Sequence, residues 1–434
     1  MKNFLKNMDR LHRRAFMERT AKSAFGVSLI PGLQSAVLGA DKPKLKKSSV
    51  QGGKAKRLIY LFMTGAMTHL DTFDLKPGHE NQGETKGIKT KIPGLQIGEN
   101  LPGIAEQFDK IAAVRSMYTE TAAHQPGRYL MQTSYKEIAT TRHPTMGPWA
   151  QRHLGRQNKD LPDTVTIAGG AKHPGSGYLG PQFSPLPLGD PNRGLQNTVA
   201  PSYLTDSSFE KRLALINKFD RSFRKKFPVN KVNTYSNFYT QATRLLSSTE
   251  IEAFDLKKED DKIRDEYGRS RFGQGCLLAR RLIENNVRCV EVTFGGWDDH
   301  RDLYGRFPDR AATLDQGISA LLKDLEEKGL LDETLIVLTT EFGRSPKINQ
   351  NGGRDHHPAA FSAALMGGMV QGGQLYGKSD EEGRSVEEDG VSPADLNATI
   401  AKAMGLPLAE EIYSPTGRPF TVAHDGQPID QLLS

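Results

Sequence analysis

Cysteine is nearly absent from this 434-residue chain, occurring only as Cys276 and Cys289. A disulfide framework is therefore excluded as what holds the fold. One thiol lies in the helix-like run GQGCLLARRLIENN and the other in the strand-like RCVEVTF, and both read as small buried hydrophobes, although an oxidising compartment would permit a bridge between them. An excess of one charge is lacking too. The formal +7 shrinks once residues 1–40 are set apart, because they hold seven basic side chains (Lys2, Lys6, Arg10, Arg13, Arg14, Arg19, Lys22) against Asp9 and Glu18, leaving +2. A nearly neutral remainder with dispersed charge gives no stripe for nucleic acid, so no nucleic-acid partner is expected. Extremes of composition are missing as well: 37% hydrophobic and 25% charged residues describe a folded chain, neither disordered nor membrane-resident.

What is there begins with residues 1–40, laid out as an export signal. A basic start ends in Arg13-Arg14, Ala15-Phe16-Met17 follows, then the weakly apolar AFGVSLIPGLQSAVLG and the small residues Gly39-Ala40. The arginine pair followed by Phe16 resembles a twin-arginine signal. The apolar stretch contains Pro31 and Gln34 and falls short of the ~20 apolar residues of a stable span, so cleavage is expected rather than anchoring. Delivery to the periplasm or the cell exterior follows. Residues 41–56, rich in lysine with glycine, read as a flexible leader.

From Arg57 onward, short apolar β-type runs (RLIYLFM, KIAAVRSM, TVTIAG, VRCVEVTF, TLIVLTT, FSAALMGG) alternate with longer helical runs. Runs such as LIVLTT are apolar on both faces, as in a sheet covered by helices on both sides. The expectation is one doubly wound α/β domain over 57–434, its sheet mostly parallel, with a helical insertion around 207–286.

In such sheets functional residues collect at the carboxyl ends of strands, and the polar clusters of this chain sit there. TGAMTHLDTFD brings His69, Asp71 and Asp74; GGWDDH brings Asp298, Asp299 and His300; EFGR brings Glu341; GGRDHHP brings Arg354, Asp355, His356 and His357. Carboxylates and imidazoles from several strand ends are what a divalent cation such as Zn, Ca, Mn or Mg requires. His124-Gln125-Pro126-Gly127-Arg128 opens a further helical run, and is either a site element or a plain helix start with proline in its first turn. His143 and His173 read mainly as structural, His143 being the better pocket candidate, and Trp297 reads as packing.

The pattern of MTGAMTHLDTFD, HPTMGPWAQRHLG, TFGGWDDH and TEFGRSPKINQNGGRDHHP resembles the domain-of-unknown-function 1501 family of exported proteins, similar to sulfatases of the alkaline-phosphatase superfamily. The resemblance spans nearly all of the chain from Arg57. It implies an alkaline-phosphatase/sulfatase-like fold and hydrolysis of sulfate or phosphate esters by a divalent-metal site, the partner being a small anionic ester or a sulfated or phosphorylated carbohydrate. It places Asp71 as the first metal carboxylate, Asp298 or Asp299 with His300 as a ligand pair, Glu341 at an acidic ligand position, and His356 or His357 as the late imidazole, with Asp355 as a compensating ligand.

Two departures accompany the resemblance. Phe342 stands where the superfamily has a ligating histidine. His124 occupies the nucleophile slot of a Cys/Ser-x-Pro-x-Arg motif, where it can act as base, nucleophile or ligand while Arg128 binds the anion. The alternative the departures favour is a non-catalytic binding or scaffolding protein. Nothing in the sequence bears on oligomeric state.

Overall fold

The strand β1, Arg57–Thr64, alternates its apolar side chains between two interiors: Ile59, Leu61 and Met63 enter one buried cluster, Leu58, Tyr60 and Phe62 the other. A strand buried on both faces belongs in the middle of a covered sheet. In the computed structural model β1 does sit there, flanked in parallel by β5 (Cys289–Gly295) and β6 (Thr334–Thr340). The other strands are β2 (Ile111–Met117), β3 (Thr164–Ile167), β4 (Leu186–Leu188), β9 (Phe361–Gly367) and β10 (Gln374–Tyr376). Their order across the eight-stranded sheet is β10-β2-β9-β6-β1-β5-β3-β4. Only β9 runs antiparallel to its neighbours, so the sheet is mixed and mostly parallel. All six expected strands are present.

The structure describes residues 53, 55–170, 172–196, 198, 211, 241–242, 244–246 and 248–434. The expected signal segment, most of the leader and nearly all of residues 199–240 lie outside them. Helices α1 (His124–Thr133), α2 (Met146–Leu154) and α5 (Pro393–Ala403) cover one face, burying Met131, Trp149, Leu396 and Ile400. Helices α3 (Arg271–Glu284) and α4 (Leu303–Glu327) cover the other with Phe272, Leu278, Leu314 and Leu321. Each fully buried aliphatic side chain contributes about 1.5–3 kcal/mol. Among the described residues no helix is long and apolar enough to cross a membrane.

The expected insertion reached residue 286, but α3 is a crossover helix packed on the sheet and leading straight into β5. Its charged look misleads because Arg280, almost fully buried, is satisfied by Glu259, Glu284 and Asp324. Cys276 and Cys289 are both buried and unbridged.

Candidate metal centre

β1, β5 and β6 end at one edge of the sheet, and the chain turns there three times. After β1 the turn passes through Gly65 (φ 117°) and Ala66 (φ 65°). A Cβ on Gly65 would lie 2.6 Å from the Asp298 nitrogen, so glycine lets the segment after β5 pass closely over the end of β1. Gly65 N–H donates to Glu341 Oε1 at 2.9 Å. Buried Arg344 joins the turns: its Nε donates to the Ala66 carbonyl at 2.9 Å, and its Nη2 to the Gly65 carbonyl and the Asp298 carboxylate.

Helix α1 begins at His124, after an N-cap residue, Ala123, that offers no side-chain cap. Its first turn packs tightly on the end of β6; a Cβ on Gly127 would meet the Glu341 carbonyl at 3.1 Å and the Phe342 ring at 3.1 Å. His124 Nδ1 thereby reaches Glu341 Oε1 at 2.7 Å. Phe342 lies beneath the histidines, its ring centre 5.1 Å from His124 and 4.9 Å from His356. The short strand β8 (His356–His357) pairs antiparallel with β7 (Gly343–Arg344), and this pairing brings His356 over the same point.

The three imidazoles are held alike. His124 Nδ1 faces the Glu341 carboxylate, His300 Nδ1 faces Asp355 Oδ1 at 2.9 Å, and His356 Nδ1 faces the Ala122 carbonyl at 2.8 Å. A carbonyl or an ionised carboxylate only accepts, so each Nδ1 carries the proton and each Nε2 of a neutral ring presents a lone pair. Both carboxyls favour ionisation. Burial works against it at Glu341 but is outweighed by His124, Gly65 N–H and Arg128; at Asp355 the His300 hydrogen bond leads.

The Nε2 atoms converge. His300 Nε2 lies 3.0 Å from His356 Nε2, and both lie 3.1 Å from Asp298 Oδ1. His124 Nε2 lies 3.3 Å from Asp298 Oδ2 without a hydrogen bond. Asp298 is held well below the usual carboxylate range: burial opposes this, but the hydrogen bond and charge of Arg344 lead the contacts that outweigh it. Facing lone pairs at 3.0 Å repel unless a proton or a cation lies between them. The donor set therefore fits a divalent cation, and among the described residues His124, Asp298 and His356 bring one ligand atom each within 4.8 Å of one another.

The family model described as a protein of unknown function (DUF1501) matches residues 55–433. The chain belongs to the DUF1501 family. No curated protein matches it. Among solved structures it is similar to a putative sulfatase from Bacteroides thetaiotaomicron (12% identity, 87% of this chain and 74% of that one, TM-score 0.42). It is also similar to the PsFucS1 sulfatase from Pseudoalteromonas sp. (14%, 88% and 72%, TM-score 0.40) and to an alkaline-phosphatase-superfamily protein from Vibrio parahaemolyticus (9%, 89% and 72%, TM-score 0.40).

In this DUF1501 chain the expected site residues divide into two groups. His124, Asp298, His300 and His356 meet; Glu341 and Asp355 stand behind them, orienting His124 and His300. Asp71, expected as a ligand, is fully buried elsewhere: it accepts from Arg354 Nε at 3.0 Å, from Thr68 and Thr85 at 2.7 Å each, and from Tyr304 at 3.3 Å. Asp299 points away from Asp298 to Arg310 and Arg306. His357 donates its Nε2–H to the Arg384 carbonyl and so has no lone pair there to offer.

Arg128 touches Glu341 through Nε at 3.4 Å, and its Nη groups make no hydrogen bond among the described residues. His143 is buried against Tyr135 and bonded to Tyr129 at 2.8 Å, apart from the cluster; His173 is bonded to Glu291 at 2.9 Å. Trp297 packs edge-on against Phe294 and Phe307. Sequence reasoning missed Arg344, for which the signal is an arginine placed just after an acidic strand end.

Proposed function

We propose that this DUF1501 chain hydrolyses sulfate or phosphate esters, on a small alcohol or on a carbohydrate, with a divalent cation held by His124, Asp298, His300 and His356. The observation that carries the reading is the convergence of three imidazole Nε2 atoms on the Asp298 carboxylate, at 3.1–3.3 Å. Three imidazoles and a carboxylate suit Zn²⁺ or Mn²⁺ better than Ca²⁺ or Mg²⁺, which favour all-oxygen sets. When bound, the cation supplies Lewis-acid stabilisation of charge on the ester oxygens.

The chain's own residues do the rest. The free Nη groups of Arg128 form a planar fork for two oxygens of the transferred group, and the uncapped start of α1 favours the same negative charge. Glu341 holds His124 in its Nδ1–H tautomer, which makes His124 a ligand rather than a base or nucleophile. Water then attacks: its oxygen bonds to sulfur or phosphorus, the bond to the ester oxygen breaks, and the departing alcohol takes up the proton that the water gives up. Twin-arginine export belongs to the same proposal, since that route passes a protein already folded around its metal. A second reading, a cation-binding protein without catalysis, is favoured by one observation: an imidazole engaged by Glu341 and Asp298, not a hydroxyl or thiol, opens α1.

The test is metal analysis of the purified protein, with turnover assays on aryl sulfates and on phosphate mono- and diesters. Bound metal and turnover, both lost in Asp298→Ala, His300→Ala and His356→Ala, are expected. Metal without turnover selects the second reading, and neither metal nor turnover sinks both.

A further inference from the structure

Beside the cation cluster lies a cleft of ≈450 Å³ lined by residues 345–350, Asp355, His357 and Arg384. The size is that of a small-ligand site, roughly 300–1,000 Å³. It abuts the cluster through two residues: Asp355 orients His300, and His357 follows His356.

Both walls are fixed from behind by side chains the cation does not need. Arg354, fully buried and paired with Asp71, donates to the carbonyls of Ser345 (3.3 Å) and Pro346 on one wall, and to those of Asn81 (3.0 Å) and Gln82 (3.3 Å). On the other wall three consecutive carbonyls are each bound by a side chain: Glu382 by Asn81 Nδ2 at 3.1 Å, Gly383 by His69 Nε2 at 2.8 Å, and Arg384 by His357. Asp380 accepts from the backbone N–H groups of Arg384 and Ser385 at 2.7 and 2.9 Å. The THLDTFD segment thus spends His69 and Asp71 on holding two loops still.

Two cationic side chains on these fixed loops keep donors unspent. Lys347 is exposed and makes no ion pair among the described residues, and Arg384 meets Glu382 through Nε only, at 3.1 Å. Rigid backbone carrying free cationic tips is the arrangement that recognises a ligand with little ordering cost.

We propose that this cleft is a saccharide subsite in which Arg384 and Lys347 bind a second anionic group, so that the substrate is a polyanionic saccharide rather than an isolated ester. The proposal rests on the hydrolase reading for its chemistry but not for its binding. Calorimetric titration of the metal-loaded protein with a trisulfated and a monosulfated disaccharide of the same backbone tests it. The trisulfated sugar is expected to bind about tenfold more tightly, and Arg384→Ala or Lys347→Ala to reduce that preference about fivefold, Arg384→Lys less. Equal affinities, no binding, or a preference untouched by the variants overturns the subsite. A variant-sensitive preference without ester cleavage removes the hydrolase reading and leaves the subsite standing.

Discussion

Replacing Asp71 by asparagine separates a ligand from a scaffold. Asp71 and Arg354 are each fully buried and meet at 3.0 Å, while Asp71 also accepts from Thr68, Thr85 and Tyr304. Removing one charge of such a pair leaves the other buried and costs about 3–5 kcal/mol. The low end applies, because Arg354 keeps its carbonyl partners and asparagine still accepts from a threonine. A loss of about 3 kcal/mol, at a urea slope of ~3 kcal/mol/M, moves the unfolding midpoint down by about 1 M. The assay pairs urea unfolding of the metal-free protein with metal stoichiometry of the folded variant. A lower midpoint with unchanged stoichiometry is expected. Loss of metal at unchanged stability would refute the reasoning and return Asp71 to the ligand set.

Glu341→Gln removes the carboxylate behind His124 and is expected to weaken metal binding about 10–100-fold, roughly 1.4–2.7 kcal/mol, read by chelator competition; unchanged affinity contradicts the orienting role. Protonation of two buried histidines should destabilise the fold in mild acid. Burial, with His424 adding to it, lowers His143 to about 4; burial lowers His153 to about 4 as well, with Glu410 opposing and Arg152 assisting. A folded pKa below the unfolded ~6.5 means that the unfolded chain takes up the proton first. Stability is therefore complete above pH 6.5 and falls by at most about 3 kcal/mol per histidine between 6.5 and 4. His143→Gln should flatten that stretch of the unfolding profile. Burial also pushes both thiols up, so Cys276 and Cys289 should resist iodoacetamide in the folded protein and react once it is unfolded.

Much of the fold was legible because its strands are apolar on both faces, which only a covered sheet explains. The helical boundary before β5 was not, since Arg280 and Arg281 read as surface residues until their partners Glu259 and Asp324, distant in sequence, are known. At the site, Asp298, His300, Glu341 and His356, read from strand ends and the loop after them, gather at one edge with His124, read from a helix start. What the sequence does not carry is side-chain direction over a single residue step. The THLDTFD segment misleads for a second reason: it follows β1 in sequence, but Gly65 occupies the strand end itself, and Asp71 lies beyond the turn.

The doublets Asp298-Asp299 and His356-His357 share one logic. His356 and His357 lie in extended backbone, where successive side chains point to opposite sides; Asp298 and Asp299 lie in a turn closed by Asp299 N–H on the Trp297 carbonyl at 3.0 Å, and they too part, one towards the cluster and one towards the frame. Asp298 meets the imidazoles while Asp299 pairs with Arg310; His356 meets Asp298 while His357 clamps the Arg384 carbonyl. A repeated residue type at a strand end therefore counts once, not twice, as a ligand. The second copy marks where the support of the site begins. His357→Ala should accordingly leave metal stoichiometry intact and weaken the binding of a trisulfated disaccharide, whereas His356→Ala should reduce the metal itself. If the two variants lose metal equally, the division of labour within the doublet is wrong.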